Sequence, residues 1–177
     1  MVLKAEKFGK TLVAYATKGG ATREIAEEIA KTLREKRGIE ADLLDLRKNK
    51  RPDISSYSGI IAGGGVRMGR IYGEFMDFVS GEHGDFSNKK LALFVVCGEA
   101  GDKRPEECER VKDKHKQAIL TRNPSLESRL AGSGFEAFGG RMKILGKVVQ
   151  DSVDLKKARD WAEKVAGKIG QKNVKSI

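Results

Sequence analysis

The chain has 177 residues and more Lys and Arg (35) than Asp and Glu (25), which gives a formal net charge of +10 at pH 7. We expect a chain of this length to form one domain over residues 1–177, with a full hydrophobic core. Its composition predicts no membrane-spanning helix, no secretory leader and no metal cluster, and its two cysteines, outside any CxxC spacing, favour the reduced cytoplasm.

The first predicted unit is a strand, a turn and a helix. The strand runs from Lys10 to Ala16, and the helix runs from Thr22 to Arg37 with apolar residues spaced by four. The turn holds two glycines, so backbone N–H groups can converge at the positive end of the helix, and its two threonines add hydroxyl groups. It matches neither the Walker A loop nor the G-x-G-x-x-G pattern. We predict a phosphate site, with an ordinary structural turn as the alternative, at Thr17, Lys18, Gly19, Gly20, Ala21 and Thr22.

A glycine-rich segment follows the third predicted strand. The second strand runs from Glu40 to Leu46, and the third, Gly59 to Ala62, leads into residues 63–73, where five of eleven positions are glycine. So many glycines indicate that the backbone approaches another group closely or takes positive φ angles. In an open α/β sheet, ligands bind at the carboxyl ends of the strands, where this segment falls. We predict a second ligand loop here, with a flexible surface loop as the alternative, and a short helix at residues 75–79.

The fourth predicted strand also ends in a loop of small residues. It runs from Lys89 to Cys97, and its residues 91–96 are uninterruptedly apolar, typical of a strand covered on both faces; the loop occupies residues 98–102. We expect Cys97 to be a buried strand-end residue and not a nucleophile. A helix from Pro105 to Arg122 follows, with His115 partly buried on its face.

The last predicted elements complete an alternating pattern. A short helical piece at residues 126–130 precedes a fifth strand, Phe135 to Phe138, and a helix from Asp154 to Ile169 carries Trp161 at the edge of its apolar stripe. Five strands alternating with helices predict an α/β fold with a parallel sheet in the order 2-1-3-4-5. In that order the loops after strands one, three and four meet.

These three loops resemble the FMN-contacting loops of flavodoxins, and the resemblance spans nearly the whole chain. The sequence Thr-x-x-Gly-x-Thr at residues 17–22, the glycine-rich segment and the loop after the fourth strand carry it. Thr-Arg-Glu-Ile-Ala at residues 22–26 and Arg-Met-Gly at residues 67–69 are similar to the flavodoxin-domain group that includes the quinone-dependent protoporphyrinogen oxidases, and residues 103–133 resemble the long insertion of that group. Beyond the first turn, the resemblance implies FMN contacts from Gly64, Gly65, Val66, Arg67, Met68, Gly69, Tyr72, Cys97, Gly98, Glu99 and Gly101.

The chain departs from the flavodoxin pattern where the flavin would lie. Gly19 stands where flavodoxins usually carry a hydroxyl group, which removes one expected phosphate contact. Met68 occupies the expected stacking position, Glu99 offers no ring, and Tyr72 is the remaining aromatic candidate. Flavodoxins are commonly acidic, whereas this chain is basic.

Two functions follow from the resemblance, beside the alternative of a flavin-free α/β domain. The first is a cytoplasmic FMN electron carrier that recognises acidic redox partner proteins through its basic surface. The alternative is an FMN-dependent oxidoreductase of the quinone-dependent protoporphyrinogen oxidase type. We favour the carrier, because residues 104–122 offer no aromatic side chain and little apolar surface to a lipid-borne quinone. We expect no nucleic-acid binding, since the basic stretch 48–52 has no aromatic to stack on bases, and no stable membrane insertion.

Overall fold

The computed structural model describes residues 9–82, 85–101 and 104–169, so Asp102, the last residue of the predicted third loop, lies outside the described residues. In chain order the strands are β1 (Thr11–Ala16), β2 (Ala41–Asp45), β3 (Gly59–Arg67), β4 (Arg70–Ile71), β5 (Lys90–Cys97), β6 (Phe135–Gly139), β7 (Arg141–Ile144) and β8 (Lys147–Asp151). The α-helices are α1 (Ala21–Arg37), α2 (Gly73–Val79), α3 (Pro105–Arg122) and α4 (Leu155–Ile169), and 3₁₀ turns occupy residues 98–100, 124–129 and 132–134.

Five strands form a parallel sheet in the order β2-β1-β3-β5-β6. This is the predicted order 2-1-3-4-5 once the short antiparallel β4 is set aside, so the predicted α/β architecture is confirmed. Thr11 at the start of β1 pairs with Ala41 on one side and with Gly59 on the other. The central place of β1 fits its sequence, because all six of its residues are buried.

The two faces of the sheet bury alternate residues of each strand. On β1, Leu12 and Ala14 belong to the core beneath α2 and α3, whereas Val13 and Tyr15 belong to the core beneath α1 and α4. This alternation follows from the two-residue period of a strand. Both faces are therefore covered, and the edge at the carboxyl ends of the strands is where loops can reach a ligand.

Two side chains are more deeply buried than their sequence context predicts. Trp161 was expected at the edge of its apolar stripe, but it is 3% exposed, donates a hydrogen bond to the Ser133 carbonyl at 2.8 Å, and meets the rings of Phe94 and Phe138 edge to face. His115 was expected to be partly buried and is 2% exposed. The neighbours of Trp161 come from distant parts of the chain, which helical spacing alone does not reveal.

The glycine-rich segment begins as strand and not as loop, because residues 63–65 continue β3. A Cβ on Gly63 would enter the ring of Phe94, and a Cβ on Gly64 would lie 2.7 Å from the ring of Phe75. The predicted close approach is therefore confirmed at these positions, and the approaching groups are aromatic rings of the protein's own core. A strand without side chains at these positions lets the rings approach the backbone of the sheet directly.

Two hairpins were not predicted. β4 turns back on the end of β3, and β7 and β8 form a separate antiparallel pair where the sequence pattern indicated no element. Both have two-residue turns, Met68-Gly69 in the first and Leu145-Gly146 in the second. Such turns are usually signalled by Asn-Gly or Asp-Gly, which neither carries.

Candidate functional site

A cleft opens where β1, β3 and β5 end, at the carboxyl edge of the sheet. Because these three parallel strands are neighbours, the turns that follow them converge there, as the sequence predicted. A larger surface depression lies at the start of β5, between residues 87–92 and 165–169, away from these turns. The cleft at the carboxyl edge is lined by Thr17, Gly19, Ala21, Thr22, Gly65, Val66, Tyr72, Val96, Cys97, Gly98, Gly140 and Arg141.

The first wall of the cleft is the turn from β1 into α1. Gly20 takes the left-handed conformation, with φ at 89°, and its N–H donates a hydrogen bond to the Thr17 hydroxyl at 3.0 Å. The Arg47 guanidinium donates to the Thr17 carbonyl at 2.9 Å and fixes the other side of the turn. No side chain caps α1, so the first N–H groups of this helix remain for a ligand at its positive end. Thr22 lies in the first turn of α1 and is almost wholly buried.

The second wall comes from the end of β3 and from Tyr72. The Tyr72 N–H donates to the Gly65 carbonyl at 3.0 Å, and a Cβ on Gly65 would lie 2.8 Å from the Tyr72 ring and 3.1 Å from the Thr22 hydroxyl. Glycine at this position therefore lets the ring and the hydroxyl close on the backbone. The Lys18 ammonium lies 5.4 Å from the centre of the Tyr72 ring, a cation–π arrangement that joins the first and second walls.

The third wall is the end of β5. Cys97 is buried, and burial raises the pKa of its thiol, as expected for a strand-end residue that is not a nucleophile. The Gly140 N–H donates to the Cys97 carbonyl at 3.1 Å and draws the end of β6 against this wall. A Cβ on Gly98 would meet no atom within 4 Å, so the cleft is open on that side.

Arg141 completes the cleft and was missed by the sequence analysis. It is the first residue of β7, where its guanidinium forms ion pairs with Glu24 at 2.8 Å and with Asp151 at 2.9 Å. These carboxylates raise the pKa of Arg141, and the guanidinium lowers the pKa of Asp151. Gly-Gly-Arg directly after the fifth predicted strand was the available signal, because that strand ends at the same edge of the sheet.

Eight predicted contact residues do not line the cleft. Gly20 and Gly64 act through the backbone, since one begins α1 and the other underlies the ring of Phe75. Arg67, Met68 and Gly69 lie just beyond the part of β3 that lines the cleft, where the chain turns back as β4. Met68, the expected stacking residue, is 93% exposed. The others are Lys18 above Tyr72, the exposed Glu99 on the 98–100 turn, and Gly101 against Ser152.

Behind the third wall, His115 faces the core from α3. Its Nε2 atom has no hydrogen-bond partner among the described residues, and burial, with a smaller effect of Lys114, lowers its pKa. The imidazole is therefore neutral near pH 7. Glu99 acts in the opposite direction, which places this histidine within the electrostatic reach of the 98–100 turn. Across the described parts of the chain, no group of three or more His, Cys, Asp or Glu side chains could hold a metal ion.

Comparison with known proteins gives one consistent result. Residues 12–136, more than half of the chain, match the family model described as flavodoxin domain. Protoporphyrinogen IX dehydrogenase (quinone) of Escherichia coli strain K12 is 36% identical over 87 residues, which are 49% of this chain and 48% of that protein. The match to this curated relative thus spans about half of its length.

Solved flavodoxin structures share the fold. The oxidised flavodoxin 2 of Bacillus cereus superposes with a TM-score of 0.63 at 23% identity, over 90% of this chain and 99% of that one. A Fusobacterium nucleatum flavodoxin bound to flavin mononucleotide gives a TM-score of 0.51 at 14% identity, over 90% of this chain and 98% of that one. At these identities the likeness concerns the fold alone.

Proposed function

We propose, since the chain belongs to the flavodoxin domain family, that its cleft binds FMN and that the protein transfers electrons between redox partners. The observation that carries this proposal is the turn from β1 into α1, which presents an uncapped helix start beside two threonines. Bound FMN would supply the one- and two-electron chemistry that no side chain of the cleft provides.

The donors of the cleft fit the phosphate end of FMN. The helix start offers backbone N–H groups, and Thr17 and Thr22 offer hydroxyl groups from the same turn. Arg141 adds a guanidinium held in place by two carboxylates, and Lys18 adds a cation above Tyr72. We expect the Arg141 guanidinium to supply a donor in place of the hydroxyl group that is missing at Gly19.

The ring of the flavin would lie against the second and third walls. Tyr72 is the aromatic side chain of the cleft, and Gly98 leaves open space on the opposite side. Cys97 stays a neutral thiol that excludes water from the floor, because burial raises its pKa. The residues that would hold FMN are therefore Thr17, Gly19, Ala21, Thr22, Gly65, Val66, Tyr72, Cys97, Gly98, Gly140 and Arg141.

FMN titration tests the site. The double variant Thr17→Val, Thr22→Val should bind FMN about 1–3 kcal/mol more weakly than the unmodified protein, because two hydrogen bonds to a charged phosphate are lost. The Thr121→Val variant is the matched control, since Thr121 lies exposed on α3 with its hydroxyl bound to the Gln117 carbonyl. Equal affinity in the double variant and the control would refute the phosphate site. Absence of any flavin binding by the unmodified protein would refute the proposal as a whole.

Electron transfer with an acidic redox protein is the role we favour for the bound flavin. Four exposed cations, Arg67, Arg70, Lys143 and Lys147, stand on the β3–β4 and β7–β8 hairpins near the cleft, and none of them forms an ion pair with a described carboxylate. A basic surface of this kind attracts acidic proteins and makes their association depend on salt. We keep the cytoplasm as the proposed location.

A protoporphyrinogen oxidoreductase is the second candidate, and the 36% identity to the Escherichia coli enzyme favours it. The low apolar content of residues 104–122 speaks against it, because α3 (Pro105–Arg122) has only His115 and Ile119 as buried residues. Steady oxidation of protoporphyrinogen IX by the FMN-loaded protein with a quinone as acceptor would establish the enzyme. Salt-sensitive reduction by a protein donor without such turnover would establish the carrier.

A further inference from the structure

The two unpredicted hairpins have turns of the same construction. In β3–β4 the turn is Met68-Gly69, with φ of 51° and 76°; in β7–β8 it is Leu145-Gly146, with φ of 48° and 77°. Two residues with positive φ are what a type I′ hairpin turn requires. We call these two turns the tips.

Neither tip is explained by the fold. Asn, Asp and Gly are the residues that take positive φ readily, and a large side chain there is unfavourable. Met68 and Leu145 are nevertheless 93% and 98% exposed, so no packing within the described chain offsets the cost. A large apolar side chain that strains the backbone and contacts only solvent indicates a surface for another molecule.

Exposed apolar side chains are concentrated on the two hairpins. Of the eight exposed large hydrophobic residues among the described residues, six lie on the two hairpins. The other two, Leu43 and Leu155, are less exposed than any of the six. The six are Met68, Met142, Ile144, Leu145, Val148 and Val149.

The two tips flank the cleft. The β3–β4 hairpin leaves the sheet at Val66, and the β7–β8 hairpin begins at Arg141; both residues line the cleft. β3 and β6 are separated by β5 alone, so their ends stand about 10 Å apart at the usual spacing between strands. The two hairpins therefore start from the same edge of the sheet, one on each side of the end of β5, and both start at residues that line the cleft.

The charges around the tips select the kind of surface. Arg67 and Arg70 flank Met68-Gly69, and Lys143 and Lys147 flank the second tip; among the described residues, no carboxylate pairs with any of the four. A second copy of this chain would place cations against cations. An acidic protein would need two separate apolar pockets in register with the tips, whereas a lipid surface accepts apolar tips without matching shape.

We propose that Met68 and Leu145 insert together into the headgroup region of an anionic lipid bilayer, with the four flanking cations against the lipid phosphates. Apolar side chains with adjacent Lys and Arg are the composition that binds such an interface, and each cation near an anionic surface adds to the attraction. The contact is peripheral and reversible. It does not require flavin, so it stands or falls separately from the proposed function.

Vesicle co-sedimentation of the full chain tests the proposal. The unmodified protein should bind vesicles that contain phosphatidylglycerol at physiological salt and should bind purely zwitterionic vesicles much more weakly. The double variant Met68→Asn, Leu145→Asn keeps the net charge, and Asn accepts positive φ, so the fold is retained. We expect its partition coefficient to fall about tenfold, because two apolar side chains no longer leave water. The control Leu43→Thr removes an exposed leucine from β2, on the far side of the sheet, and should bind like the unmodified protein.

Three results would overturn the proposal. One is failure of the unmodified protein to bind anionic vesicles. Another is equal binding by the double variant, which would assign binding to the net charge alone. The third is a loss in the double variant of a different interaction. A comparable loss of affinity for polyglutamate would assign the tips to an acidic protein, and loss of a concentration-dependent dimer would assign them to a second copy of the chain.

Discussion

The end of β3 and the β7–β8 hairpin lie at the same edge of the sheet, yet opposite physical requirements apply to their sequences. In β3, residues 63–65 are glycines because aromatic rings occupy the space where side chains would be. In the hairpin, large side chains stand in solvent, even where the backbone would favour Gly or Asn. Packing accounts for the first region completely. The second region needs a reason from outside the fold, and the following changes examine that difference.

The largest effect is expected from Gly63→Ala. Its Cβ would enter the Phe94 ring, and Phe94 is itself locked between Phe138 and Trp161, so overpacking should lower the free energy of unfolding by about 3 kcal/mol. Gly167→Ala is the matched control, because its Cβ meets nothing within 4 Å on α4. The control should be stabilised by about 0.5–1 kcal/mol. Urea unfolding measures both, and two similar values would contradict the packing account of β3.

A smaller effect on the free energy of unfolding is expected from pH, through the buried His115 on α3. Burial lowers its pKa in the folded state, so below the ordinary value of 6.5 the unfolded chain binds a proton that the folded chain does not. Protonation of His115 therefore does not reduce the free energy of unfolding above pH 6.5, and it reduces it progressively as the pH falls from 6.5 toward the folded-state pKa. Urea unfolding of the unmodified protein and of His115→Leu across this range measures the effect. The slope of stability with pH should be shallower in the variant, and identical slopes would show that another group titrates.

Arg141 joins the two regions, and its replacement by Gln should have an effect of intermediate size. Ion pairs with Glu24 and Asp151 would be lost, but both carboxylates are partly exposed, so the free energy of unfolding should fall by only about 1 kcal/mol. FMN affinity should fall as well if the guanidinium contacts the phosphate. Arg159→Gln is the control for flavin affinity. It breaks the ion pair between Arg159 and Glu28, whose N–O distance is 3.5 Å, and neither residue lines the cleft. Unchanged FMN affinity in Arg141→Gln would restrict this arginine to a structural role.

The smallest effect, and one of opposite sign, is expected at the tip of the hairpin. Leu145→Asn should raise the free energy of unfolding by about 0.5–1 kcal/mol, because Asn tolerates positive φ and the lost side chain had no packing. Thermal unfolding measures it. Destabilisation of the variant would mean that Leu145 packs within the protein in solution, and the contrast with β3 would disappear.

Sequence alone predicted the sheet, its strand order and the three converging turns, because buried parallel strands are continuous apolar stretches with clear ends. It located the turn between β1 and α1, since Gly20 and the start of α1 are local features, and the phosphate site there stays a prediction. It did not indicate that Arg67 and Met68 lie on a hairpin, because nothing local shows that β3 continues through three glycines. It missed Arg141, whose position depends on ion pairs with Glu24 and Asp151. Glu24 is distant in the chain, and Asp151 belongs to the β7–β8 hairpin, which the sequence did not indicate. Long-range partners were the missing information in both cases.

The single tryptophan of the chain gives the protein an optical reporter of its own core. Trp161 is enclosed by Phe94 and Phe138, with its indole N–H bound to the Ser133 carbonyl, so its emission in the folded state should lie at short wavelength and shift to the red on unfolding. Phe94 is also the ring that covers Gly63. Intrinsic fluorescence therefore reads the packing of β3 directly, without a label and without any contribution from a second tryptophan.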